Sequence, residues 1–418
     1  MDFECKFSIS LINLACENIA SQPERFLAYI VASSFTGFLF LAVTPIRTWL
    51  WGVIVRVWGL FTRNFRAANS LAKAKQAITN GKVGPWLAFK PITPADYMLR
   101  MERAEKSFPV ILSCNLKGGV GKTTITANIA ASFAQFKNAQ NAKPVLAIDL
   151  DYQGSLSSLM FAGSKWRTKG SELSAASHSV LGRCNHDWLA IRAQPATWVE
   201  NPGSQQQTLR QIAGLSGIEA FYDLADVEDR LRILWVISEE KRDIRYFLYE
   251  LIHNDALRNK FSMIFIDAPP RMTTACIQAL VASTHVLIPT ILDELSAEAV
   301  AYFGRQLARH EVLWPNLQVL GILGSMVAAN QNHQRSALET AGDRLRESLR
   351  VTSGKLAALE RSGTPFEFPF ELSVPDRASL GRTIEKGIAY EALANGRERT
   401  ELRGIFDDVA AEIRRRMN

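Results

Sequence analysis

Apolar runs that stop abruptly on polar or turn-forming residues punctuate the C-terminal part of this chain: Phe108 to Leu112, Pro144 to Ile148, Phe261 to Ile266, His285 to Thr290, Val319 to Met326 and Phe368 to Asp376. Continuous rather than alternating apolar runs mark strands covered on both faces. An Ala-rich helical pattern, Ile125 to Phe136, follows the first run, and helical patterns also cover Asp96 to Lys106, Ala279 to Ala282 and the stretch starting at Asp293 to Ala301. Alternating strands and helices predict a doubly wound, mostly parallel α/β sheet over residues 108–418. Within it, residues 156–260 hold extra length: the polar stretch Pro195 to Gln207 reads as a loop, and helical patterns run from Leu209 onward. Trp166, Arg167 and Lys169 in that region read as an ordinary solvated face, with a basic aromatic contact as the alternative.

A different pattern precedes this. From Phe26 to Ile46 there is no charged residue, enough to cross a hydrocarbon layer at ~1.5 Å per residue. This predicts a transmembrane helix over 26–46 behind a short extracytoplasmic segment, 1–25. A cleaved signal peptide competes, but Asp2, Glu4, Glu17 and Glu24 stand where a basic region should be. A buried core helix seldom stays uncharged for so long. The stretch Thr48 to Thr62 carries Trp49, Trp51 and Trp58 around Arg56, which predicts a membrane-surface segment over 47–70; a second crossing is the alternative. Residues 71–107 read as connector and lead-in helix.

Charge sets the orientation. Arg47, Arg56, Arg63, Arg66, Lys73, Lys75, Lys82 and Lys90 follow the span with no acid before Asp96, whereas Lys6 and Arg25 alone precede it. The positive-inside tendency then places the large C-terminal part in the cytoplasm, at an inner membrane crossed once. The formal net charge of +7 is in part this membrane-proximal feature and is weak evidence for nucleic acid. Cys5, Cys16, Cys114, Cys184 and Cys276 show neither paired spacing nor metal-ligand register with His178 or His186, which predicts free thiols in a reducing compartment.

The candidate chemistry sits where the first run ends. Cys114-Asn115-Leu116-Lys117-Gly118-Gly119-Val120-Gly121-Lys122-Thr123-Thr124 reads as strand, glycine loop, helix, the context of a phosphate-binding loop. Backbone N–H groups turn inward where no Cβ obstructs them, and the helix adds its positive N-terminal end. Lys122 then reaches the β- and γ-phosphates, and the Thr123 hydroxyl ligates Mg²⁺. The general motif has glycine at 116, where this chain has leucine. Two carboxylates, Asp149 and Asp151, close the second run, and Asp267 closes the third, so all three lie at C-terminal strand ends, where ligands gather. A carboxylate pair capping the next helix is the competing reading of Asp149 and Asp151.

Lys117 to Thr124 resembles the deviant phosphate loop of the ParA/MinD ATPases, in which an extra lysine precedes the glycine pair. The resemblance covers about Phe108 to Ala411 and extends to the segment Asp149 to Gly154, with Tyr152 in place of the usual proline, and to Asp267-Ala268-Pro269-Pro270. It implies ATP and Mg²⁺ as cofactors. It also implies that Gly118, Gly119, Val120, Gly121, Lys122, Thr123 and Thr124 hold the phosphates, and that Asp149 and Asp267 support the Mg²⁺ shell beside Thr123. By the same resemblance Asp151 orients the attacking water, and a γ-phosphate-sensing loop follows Asp267. Lys117 would cross to the nucleotide of a second copy, and Asn330, Pro375 and Asp376 fall where relatives contact the base.

The function expected is that of a membrane-anchored ATPase that dimerises on ATP and hydrolyses it to switch partner binding. The partners implied are a second copy, membrane lipid and an unidentified protein. DNA contact sits poorly with fixed anchorage. A nucleotide-dependent signalling or defence switch with weak hydrolysis is the alternative. An envelope-type tyrosine kinase would carry a tyrosine-rich tail, and this chain has no tyrosine after Tyr390.

Overall fold

The computed structural model describes residues 72, 85–87, 89–94 and 108–417, except 141, 163–172, 202–206, 238–241, 328–331, 353–368, 384 and 394–395. They belong to the second of two compact units, Leu71–Asn418. The membrane span expected over 26–46, the segment 47–70, Cys5, Cys16, Trp166, Arg167, Lys169 and Asn330 lie outside the described residues. Among the described residues no helix is long and apolar enough to cross a membrane.

The strands are β1 (Val110–Ser113), β2 (Val145–Asp149), β3 (Gln194–Glu200), β4 (Thr208–Ile218), β5 (Met263–Asp267), β6 (His285–Thr290), β7 (Gln318–Val327) and β8 (Pro369–Pro375). They form one sheet in the order β3-β4-β2-β5-β1-β6-β7-β8, parallel throughout except for the antiparallel pair β3–β4. The period of two along each central strand decides which layer a side chain joins. Ile111, Val145, Ala147, Met263 and Phe265 face a layer that contains α1 (Lys122–Ala139) and α7 (Arg397–Met417), through Ile125, Ile129, Phe133, Phe406 and Val409. Their neighbours Val110, Leu112, Leu146, Ile148, Ile264 and Ile266 face the opposite layer. That layer holds α3 (Asp223–Val236), α4 (Thr274–Ala282) and α5 (Glu294–Arg309). Each fully buried aliphatic or aromatic side chain of these layers contributes about 1.5–3 kcal/mol. The helix α2 (Ser155–Met160) joins the first layer, and α6 (Asn332–Thr352) packs beside α5.

The apolar runs became strands as expected. The stretch 194–218 did not follow expectation. Pro195 to Gln207, expected as a loop, contains β3, and the expected helix from Leu209 is β4, with a helix beginning at Asp223. Leu209, Ile212 and Leu215 are three apart, which mimics a helical stripe. The cause is Gly214, whose φ of +73° breaks the alternation, so that Ile212 and Leu215 both reach the first layer. A Cβ at Gly214 would lie 3.0 Å from the Ala134 carbonyl oxygen of α1, so the kinked strand and the helix pack by backbone contact. Pro195 is accommodated because β3 is an edge strand whose register shifts between Pro195 and Thr197.

Candidate active site

Register across the sheet assembles the site. Ser113, at the end of β1, pairs with Asp267 of β5, which pairs in turn with Asp149 of β2. The end of β1 and two buried carboxylates therefore form one row, and the loop 114–121 rises from it.

Main chain and the Asn115 side chain hold the start of the loop. Cys114 N donates to Leu287 O at 3.0 Å, tying the loop to β6. Asn115, fully buried, donates from Nδ2 to Pro289 O at 2.8 Å and accepts from Lys117 N at 3.0 Å. Sequence reasoning gave Asn115 no role; a buried amide at a strand-to-loop joint was the available signal. Gly119 and Gly121 have φ of +72° and +77°, the left-handed region that glycine adopts without strain. Gly121 caps α1, and a Cβ there would collide with the Ser325 hydroxyl of β7. Val120 is buried, while Gly118 and Gly119 are exposed at the loop's tip.

Lys122 is buried in the first turn of α1 and donates from Nζ to the Lys117 carbonyl at 3.0 Å, so its ammonium lies across the inside of the loop. Thr123 donates to Asp267 Oδ2 at 2.7 Å. The other oxygen of Asp267, Oδ1, is buried with no hydrogen-bond partner among the described residues. Burial pushes the Asp267 carboxyl up to about 7, against the opposing pull of Thr123 and Lys122. A buried carboxylate with one unused oxygen, next to a hydroxyl and a lysine, fits a hydrated Mg²⁺ and the phosphates it accompanies. The glycine loop and Lys122 fit the anion.

The other two carboxylates differ. Asp149 uses both oxygens within the chain: Oδ1 accepts from Asp151 N at 3.0 Å, and Oδ2 accepts from Ser157 N at 2.8 Å and Ser157 Oγ at 2.7 Å. Its carboxyl is held well above the usual range, first by burial and then by the neighbouring Asp267 charge. In this arrangement Asp149 braces α2 and the turn 151–154 with both its oxygens engaged, unlike Asp267. Asp151 accepts from Gln153 N at 3.0 Å and receives Gly154 N on its carbonyl at 2.9 Å, a tight turn closed by Gly154 at φ +64°. Tyr152 packs toward Tyr222, with ring centroids 6.4 Å apart.

Lys117 is engaged within its own chain. Its Nζ lies 3.1 Å from both oxygens of Asp293 and 2.7 Å from Ser296 Oγ, at the N-terminus of α5. Asp293 caps that helix by accepting from Ser296 N at 2.6 Å. Thr124 continues α1, its carbonyl accepting from Asn128. Toward the far side, Pro375 pairs with Val327, and Asp376 N donates to Val327 O at 3.0 Å, so the turn after β8 sits beside the end of β7. Met326, with φ +55°, and Ser325 carry that end of β7 to the Gly121 side of the loop.

A family model described as an AAA domain matches residues 109–316. The chain is 27% identical over 294 residues to the sporulation initiation inhibitor protein Soj of Bacillus subtilis (strain 168), covering 69% of this chain and 99% of that protein. It is 27% identical over 239 residues to the chromosome partitioning protein ParA of Myxococcus xanthus (strain DK1622), covering 55% of this chain and 69% of that protein. Among solved structures, apo McdA of Cyanothece aligns with a TM-score of 0.50 at 15% identity, over 74% of this chain and 99% of that one, a likeness of fold.

Proposed function

Since the chain is a phosphate-loop ATPase of the ParA/MinD family, we propose that it binds ATP with Mg²⁺, joins a second copy while ATP is bound, and separates on hydrolysis. The observation that carries this is the Lys122, Thr123 and Asp267 cluster under the glycine loop, with its unused carboxylate oxygen. In this reading the amides of 118–124 hold the phosphates, and Lys122 exchanges the Lys117 carbonyl for phosphate oxygens. Mg²⁺, when bound, supplies charge neutralisation on those oxygens, held by Thr123 and backed by Asp267. Asp151 orients water in a turn that Asp149 keeps in shape. Phosphoryl transfer to water needs such positioning and charge stabilisation more than covalent chemistry.

The test separates binding from turnover. Asp151→Ala is expected to bind ATP within about threefold of wild type while hydrolysis falls by about a hundredfold or more, the scale on which positioned acid–base groups act. Isothermal titration and phosphate release measure the two. Parallel loss of both would make Asp151 a structural carboxylate.

We place the ATPase unit at the cytoplasmic side of an inner membrane, held there by residues 26–46 with 47–70 at the lipid surface. The support is the uncharged run and its one-sided basic flank. The full-length chain is expected to stay with the membrane through alkaline carbonate extraction, and recovery in the supernatant would defeat the anchor. Its product is a change of affinity for a protein partner. Little supports DNA as that partner: on the basic helix α7, Arg397 pairs with Glu401, Arg399 and Arg403 with Glu391, and Arg415 and Arg416 with Glu412.

A further inference from the structure

Arg245 is fully buried, far from the phosphate loop in sequence and outside every motif described above. Five N–H donors in a dry site need acceptors. Two come from Asp243: Oδ1 accepts from Nε at 2.7 Å and Oδ2 from Nη2 at 2.6 Å. Two more come from the segment ahead of the sheet, where Nη1 donates to the carbonyls of Trp86 and Phe89. Asp243 also accepts from Ile92 N at 2.9 Å. Among the described residues, the carbonyls that complete the buried ion pair are those of Trp86 and Phe89. Aromatic contacts hold the same segment: Trp235 of α3 stacks on Trp86 with centroids 6.4 Å apart, meets Phe89 at 5.0 Å, and carries the Arg245 guanidinium 4.9 Å above its ring.

The segment also touches the nucleotide machinery. Trp86 Nε1 donates to the carbonyl of Met272 at 3.2 Å. Met272 lies in the short loop between Asp267, at the end of β5, and α4. The same helix α3 that carries Trp235 holds the far end of this loop, since the buried Glu228 carboxylate accepts from Ala275 N at the start of α4. The loop is therefore gripped from two sides by one assembly of α3 and residues 85–94.

We propose that residues 85–87 and 89–94 act as a strap whose docking follows the state of the loop after Asp267, so that nucleotide binding and whatever is joined to the chain upstream of residue 85 act on one another. This rests on the nucleotide reading of the Asp267 site. A change of loop position on phosphate binding alters the Trp86–Met272 contact, and by linkage a pull on the strap alters nucleotide affinity.

Hydrogen exchange on the full-length chain, apo and with AMPPNP and Mg²⁺, tests this, with nucleotide affinity titrated on the same sample. On AMPPNP binding, exchange of the amides between Trp86 and Thr93 is expected to change by at least about threefold, a sub-global opening free energy being shifted. Trp86→Phe keeps the ring on Trp235 but removes the donor to Met272. It is expected to bind AMPPNP within about twofold of wild type while its 86–93 exchange becomes insensitive to nucleotide. If wild type binds AMPPNP and 86–93 exchange stays constant, or if Trp86→Phe responds as wild type does, the strap is wrong while the nucleotide site stands. If wild type binds no AMPPNP, the site reading falls and the strap falls with it.

Discussion

Asp267→Asn is expected to make the nucleotide-free protein more stable and the nucleotide-bound protein less stable. Burial raises the Asp267 carboxyl to about 7 in the fold, against about 3.9 in an unfolded chain. The folded protein therefore holds its proton more tightly than the unfolded one. Below about pH 4 both states are protonated and ionisation costs nothing; as pH rises toward 7 the unfolded chain ionises freely and stability is lost, fully so above the folded value. A shift of this size corresponds to at most on the order of 4 kcal/mol, and the coupling to Asp149 lowers the share that one substitution recovers. Asparagine stays neutral at every pH and keeps an acceptor for Thr123. The variant's melting temperature is expected to match wild type near pH 4 and to exceed it by about 3–8 °C at pH 8. With ATP and Mg²⁺ at a thousand times the dissociation constant, wild type gains about 4.1 kcal/mol and the variant loses the metal-dependent part, so the order is expected to reverse. Thermal scans at pH 4 and 8, with and without ATP and Mg²⁺, give all four values. An apo variant less stable than wild type at pH 8 would show that Asp267 serves the fold before the metal.

What could be read from the sequence is whatever depends on strand ends. Lys122, Thr123, Asp149 and Asp267 were legible because a buried parallel strand is a continuous apolar run and its last residue falls on the ligand edge. Which carboxylate does what was not legible, because it depends on hydrogen bonds. Ser157, eight residues after Asp149, takes up Asp149, whereas nothing among the described residues takes up Asp267 Oδ1. Arg245 was invisible for a similar reason: besides Asp243, its acceptors are backbone carbonyls of Trp86 and Phe89, which carry no sequence signature. Of the positions that the resemblance places at the base, Asn330 lies outside the described residues, and Pro375 and Asp376 lie beside Val327.

The second large effect expected is that Lys117→Ala abolishes ATP-driven dimerisation without harming the fold or the monomer's hold on ATP. In the single chain Lys117 is spent on Asp293 and Ser296, with side chains 28% and 45% exposed for the charged pair. Ion pairs this exposed are worth about 0–1 kcal/mol, so the contact is cheap to leave and its loss barely moves stability. Asp293 still caps α5 through Ser296 N without it. Nor does ATP in its own protomer need Lys117, because Lys122 and the loop amides supply the charge and the donors. The demand arises when two triphosphates face each other and water is excluded, where a lysine donated from each side offsets the repulsion in a low dielectric. Truncating one partner of such a buried charged contact costs about 2–5 kcal/mol, so the ATP-bound dimer is expected to weaken by about a hundredfold or more. Asp293→Ala is the complementary change: it frees Lys117 and should leave dimerisation equal or stronger, at about 1 kcal/mol of helix stability for the lost cap. Sedimentation of both variants on the Asp151→Ala background, apo and with ATP, reads the result. Dimers that form equally well with and without Lys117 would mean that the lysine serves Asp293 alone and that the cross-subunit mechanism does not hold for this chain.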